Sequence, residues 1–214
     1  MWQLDGSKAR LATSNLRCEL DLALPTRGLT NIAGKLDANQ FAVEAGAAIM
    51  QLTLPSKATV LADAYVRGND LVATYEESSE HPCRTQVYWR VENELDCVGI
   101  QLIVSVQTSI LDATPSLTLT SQVAGGIESI EDGITKMPLR DSEVCYVEIA
   151  DGSNVEAILH DDTQLTSRLF PGSLEKGVIR RARILGCFLP AASAEKTARE
   201  LRDQFVRSAP PLTT

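Results

Sequence analysis

The chain has 214 residues, 44% of them apolar and 22% charged, with a formal net charge of −8 and an isoelectric point near 4.8. That size and balance fit a folded domain with a sizeable core and exclude disordered and fibrous classes. The acidic surplus argues against nucleic-acid partners and against an anionic membrane surface, both of which call for clustered Lys and Arg.

Strand signals dominate the first 190 residues. Over 17–24, Cys18, Leu20, Leu22 and Leu24 alternate with Arg17, Glu19 and Asp21, the period of two of a half-buried strand. Pro25 and Arg27-Gly28 then turn the chain into 29–32, predicting a hairpin. Residues 39–52 are Ala-rich around Gly46, and their mixed periodicity leaves helix and strand both open. A strand over 59–67, a tight turn at Gly68-Asn69-Asp70 and a return strand over 71–75 follow. Beyond Pro82, Thr85, Val87, Trp89 and Val91 alternate with Arg84, Gln86, Tyr88, Arg90 and Glu92. Val98, Ile100, Leu102, Val104 and Val106 continue the pattern, with Gln101, Ser105 and Gln107 opposite.

Further strands are expected at 117–123, 144–149, 155–160 and 178–189, separated by turns at Gly125-Gly126, Asp132-Gly133, Pro138 and Asp151-Gly152. Ala194, Ala198, Leu201 and Phe205 then repeat at helical spacing behind Ser193, a capping residue type, and Pro210-Pro211 ends the run. The expected fold is mostly β, an antiparallel β-sandwich with one C-terminal α-helix, in a single domain over 1–214. No apolar run is long enough to span a membrane and no basic-then-apolar leader is visible, so a cytoplasmic location is expected.

Five cysteines, Cys18, Cys83, Cys97, Cys145 and Cys187, form no CxxC or CxxH pair, and with only His81 and His160 a multi-histidine site is excluded. No metal or cofactor is expected. Four of the thiols sit in apolar strand runs and read as buried structural residues. Cys83, between Pro82 and Arg84 in a turn, is the candidate for a reactive thiol.

Residues 65–90 carry the densest chemistry. Antiparallel pairing of the strands at 59–67, 71–77 and 84–92 would gather polar and aromatic side chains on one sheet face, and the ligand-binding candidates are Arg67, Asp70, Tyr75, Arg84, Tyr88 and Arg90. The competing reading pairs Arg67, Arg84 and Arg90 with Asp70, Glu76, Glu77 and Glu92 and packs Trp89 inside. His160-Asp161-Asp162 could hold a general base or a metal ligand, and reads equally as a turn. Arg180, Arg181 and Arg183 form a short basic cluster in which Arg181 and Arg183 share a face and Arg180 points away; it suits an anion or internal salt bridges. Gly125-Gly126 lacks the context of a phosphate loop, and no G-x-S-x-G elbow is present.

The run Ser14-Asn15-Leu16-Arg17-Cys18-Glu19-Leu20-Asp21, through Gly28-Leu29-Thr30-Asn31-Ile32 and the many strands after it, resembles the start of galactose mutarotase-like domains. The resemblance implies a large antiparallel sandwich, the supersandwich, with carbohydrate bound on a concave sheet face. Mutarotases use a histidine and a carboxylate in fixed contexts that neither His81-Pro82 nor His160-Asp161 reproduces, so epimerase activity is not implied. The expectation is a non-catalytic module that binds carbohydrate or another small polar ligand. A sugar isomerase or hydrolase working through His160 is one alternative. The other is an interaction protein that forms homo-oligomers through an apolar sheet face or the C-terminal helix.

Overall fold

Alternating apolar and polar side chains sort the chain into three antiparallel sheets with their apolar faces turned toward one another. The computed structural model describes residues 1–55, 60–79, 81–92, 95, 97–131 and 133–208, with the backbone alone for Ala157, Leu159 and His160. In chain order the strands are β1 (Trp2–Asp5), β2 (Lys8–Ala12), β3 (Leu16–Asp21), β4 (Thr30–Leu36), β5 (Asn39–Ala42), β6 (Ala48–Thr53), β7 (Leu61–Arg67), β8 (Asp70–Tyr75) and β9 (Arg84–Val91). They continue as β10 (Val98–Gln107), β11 (Leu117–Gln122), β12 (Glu128–Glu131), β13 (Ile134–Pro138), β14 (Val144–Ala150), β15 (Val155–His160), β16 (Gln164–Leu169) and β17 (Ile179–Pro190), before helix α1 (Ala194–Arg207).

β1 to β5 form a meander; β15-β16-β11-β6 form a second sheet; the third, of eight strands, has the order β12-β13-β14-β17-β10-β9-β8-β7. Leu11, Cys18 and Leu20 of the meander, Leu52, Leu119 and Leu165 of the four-stranded sheet, and Trp89, Leu102 and Ile184 of the eight-stranded sheet share one core. The result is an open sandwich rather than a closed barrel.

The eight-stranded sheet is apolar on both sides of its centre, as strands buried on two faces must be. On its outer side α1 lays Ala194, Ala198, Leu201 and Phe205 over Ile134, Cys145, Val147, Ile149, Leu185, Cys187 and Leu189. Burying a Leu or Phe side chain of this kind contributes roughly 1.5–3 kcal/mol. Ser193 stands at the helix N-cap, but its hydroxyl makes no capping bond, so apolar packing rather than the cap sets this helix. Among the described residues no helix is long and apolar enough to cross a membrane.

The open choice over 39–52 resolves as two strands, β5 and β6, with Gly46 at φ +93 in the turn between them. The strand expected to run to Leu24 stops at Asp21, whose carboxylate accepts from the Ala23 amide and the Ser7 hydroxyl and so turns the chain. β1, β2, β12, β13 and β16 were not anticipated; each is short, and in β16 the inward position between Leu165 and Leu169 is a serine.

Candidate functional site

The half of the outer face that α1 leaves open is built by β7, β8, β9, β10 and the first part of β17. Because side chains alternate, register alone decides which of them meet. Arg67, Asp70, Arg90 and Gln101 make one cross-strand row, and Tyr65, Val72, Tyr88, Ile103 and Arg183 the next. Thr74, Gln86, Ser105 and Arg181 make the third, and Arg84, Gln107 and Ile179 the fourth.

The first row is an ion-pair network. Arg90 reaches Asp70 through Nε at 2.6 Å and Nη2 at 2.9 Å, a bidentate geometry, and Arg67 Nη2 lies 3.9 Å from the same carboxylate. In the second row Val72, Tyr88 and Ile103 pack beneath Tyr65, and the Tyr88 hydroxyl donates to Gln86 Oε1 at 2.5 Å. The third and fourth rows enclose a hollow of about 60 Å³ lined by Arg84, Gln86, Ser105, Gln107, Ile179 and Arg181.

Two buried polar atoms on that hollow have no hydrogen-bond partner among the described residues, Ser105 Oγ and Arg181 Nε. Ser105 is only 8% exposed. An unbonded buried hydroxyl costs folding energy, so such groups point to use. Ser105→Ala is accordingly expected to leave stability unchanged or to raise it by up to about 1 kcal/mol. Chemical denaturation checks this, and a loss beyond that size would mean the hydroxyl is bonded within the fold.

Five of the six candidates, Arg67, Asp70, Arg84, Tyr88 and Arg90, do come together on this face, although Tyr88 and Asp70 are buried beneath it. Tyr75 does not. It lies five residues from Asp70, an odd step that turns it to the opposite side, where its ring is 1% exposed in the core and its hydroxyl donates to the Leu22 carbonyl at 2.8 Å. The competing reading also describes real pairs, since Arg84 lies 3.5 Å from Glu76 and Trp89 is fully buried. Of the basic cluster, Arg181 faces the hollow, Arg180 turns away to the Pro171 carbonyl at 2.8 Å, and Arg183 anchors α1.

Cys83 is no reactive thiol. It is fully buried, and desolvation pushes its pKa up to about 11, with Glu77 adding to the rise. Cys18, Cys145 and Cys187 are buried too, leaving Cys97 the sole partly exposed cysteine. Ellman's reagent is therefore expected to label Cys97 well ahead of the rest in the native protein, and all five thiols after denaturation. Early modification of Cys83 would contradict this.

His81 is 2% exposed with Nε2 against Thr85 Oγ1 at 2.9 Å, and burial lowers its pKa against a weaker opposing pull from Glu77. The His160 side chain lies outside the described residues. Its neighbour Asp161 behaves as a turn residue, accepting from the Thr163 and Gln164 amides at 2.8 and 2.7 Å.

Three larger depressions, of about 570, 520 and 420 Å³, lie on the meander, the first two sharing Arg17, Ala33 and Ala42. Those two are open troughs. Two of their polar groups already engage Glu19, Arg10 at 3.2 Å and Asn31 at 2.7 Å, and among the described residues none of the three contains a buried side-chain polar atom lacking a partner.

No protein-family model matches the chain, and no curated protein matches it in sequence. Solved structures match its fold. A human-microbiome protein named as a kojibiose phosphorylase superposes on 97% of the chain with a TM-score of 0.63 at 7% identity. The heparan sulfate lyase HepC from Pedobacter heparinus covers 87% with a TM-score of 0.53 at 11% identity. The heparinase III BT4657 gene product, with methylated lysines, covers 91% with a TM-score of 0.50 at 13% identity. The chain spans only 36% of the length of each. At these identities the likeness is one of fold alone.

Proposed function

We propose that the protein is a non-catalytic, galactose mutarotase-like β-sandwich module that binds carbohydrate on the open outer face of its eight-stranded sheet. The observation that carries this reading is the polar hollow between Gln86, Ser105, Gln107 and Arg181, where buried hydrogen-bonding atoms lack a partner among the described residues. Tyr65, half-buried on the same face, supplies the aromatic surface on which a sugar ring can rest. The fold shared with parts of a phosphorylase, a heparan sulfate lyase and a heparinase supports the same ligand class.

The test is a glycan array followed by calorimetry on the full chain. Binding is expected, and Arg84→Ala and Tyr65→Ala should each weaken it tenfold or more. Arg84 and Glu76 are both about half exposed, so removing their ion pair costs under about 1 kcal/mol and leaves the fold intact. Absence of binding to any saccharide would overturn the proposal.

A further inference from the structure

We infer that the hollow beside Arg181 is a carboxylate seat, so that the ligand of this face is an acidic saccharide; this rests on the carbohydrate reading above. The argument starts from charge. The chain carries 28 acidic and 20 basic residues, and on this same face Arg67, Arg90 and Arg183 are each held by an aspartate. Arg181, in the middle of that acidic molecule, has no carboxylate partner among the described residues, and its Nε is buried without an acceptor.

The groups around it are suited to an incoming anion. Ser105 sits directly across from Arg181 in the strand pairing, and Gln86 directly across from Ser105, so three consecutive strands present a guanidinium, a hydroxyl and an amide in line. Arg84 and Gln107 close the adjoining row. The carboxylate at the margin, Glu76, is already engaged by Arg84 at 3.5 Å. A guanidinium offers two parallel N–H donors that match the two oxygens of a carboxylate, and the Ser105 hydroxyl is a third donor. The hollow, about 60 Å³, is small beside the troughs of the meander. The ring itself would then lie outside the hollow, over Gln86.

The test is an amide-resonance titration of the full, isotope-labelled chain with sodium D-glucuronate, sodium acetate and D-glucose. Glucuronate is expected to shift Gln86, Ser105, Gln107 and Arg181 and to bind at least tenfold more tightly than glucose. Arg181→Gln should weaken glucuronate at least tenfold, and Arg181→Lys, which keeps the charge but loses the fork, should fall between. Ser105→Ala, which spares the fold, should also weaken it, so the idea survives any failure of an arginine variant to fold.

Acetate and glucuronate binding equally at these residues would support the carboxylate seat while overturning the saccharide reading. Glucose matching glucuronate, with the substitutions at Arg181 and Ser105 all silent, would overturn the seat and leave the saccharide reading standing. No shift at these residues with either carboxylate would overturn the seat outright.

Discussion

Replacing Arg183 with alanine should destabilise the protein by about 3–5 kcal/mol, the usual consequence of removing one partner from a buried ion pair. The guanidinium is 3% exposed and donates to Asp151 Oδ2 from Nε at 2.9 Å and Nη2 at 2.6 Å. It also donates to the Phe205 carbonyl at 3.1 Å and to Ser208 Oγ at 3.1 Å, and lies 4.7 Å from the Phe205 ring centre. A cation at a helix C-terminus satisfies the last carbonyls and complements the helix dipole. Arg183 therefore ties three things together: β17, the turn at Asp151 and the end of α1. Urea unfolding should show a lower midpoint for Arg183→Ala, with Arg183→Lys recovering part of the loss. A change below about 1 kcal/mol would show that the apolar face of α1 suffices to dock it.

The second large effect concerns Glu148, a carboxyl buried on the inner face of β14. The Tyr146 hydroxyl donates to Glu148 Oε1 at 2.9 Å, the Ser121 hydroxyl donates to the same oxygen, and the Met50 amide donates to Ser121 Oγ at 2.8 Å. Burial raises the Glu148 pKa, and the two hydroxyl donors oppose the rise without cancelling it. The folded state thus holds this proton to higher pH than the unfolded chain does. Stability from this group is complete below the unfolded value and declines as pH rises from there through the folded value. Glu148→Gln keeps the acceptor for both hydroxyls and removes the titration.

The expected outcome is a variant about 1–3 kcal/mol more stable at neutral pH, the size of a buried polar penalty relieved, and equal to the parent in acid. His81 works in the opposite sense. Its lowered pKa means that the folded state binds fewer protons, so its contribution is complete above pH about 6.5 and is lost as pH falls through the folded value. Unfolding curves between pH 4 and 8 should therefore retain, in Glu148→Gln, only the acid-side loss. An unchanged pH profile would contradict the assignment.

Much of this face can be read directly from the chain. The turn at Gly68-Asn69-Asp70 and the alternation on either side place Arg67, Asp70, Arg84, Tyr88 and Arg90 together once β7, β8 and β9 pair in chain order. The same alternation excludes Tyr75, because Asp70 and Tyr75 are an odd number of residues apart in one strand. The hollow is a different case. Ser105 and Gln107 are visible as the polar positions of β10, and Arg181 as a face-sharing member of its cluster, but nothing near either segment says that β17 lies beside β10.

Strand periodicity, turn residues and the amphipathic spacing of α1 are local properties, enforced by backbone geometry within a few residues, and they suffice for a mostly β chain ending in one helix. Strand order is not local. It follows from which apolar faces can be buried against which, summed over the whole molecule, and that sum sets β17 between β10 and β14 and puts α1 over only half of the outer face. The alternation reveals that Ser105 and Arg181 are polar and outward. Only the packing makes them neighbours and leaves Ser105 Oγ and Arg181 Nε buried without a partner among the described residues.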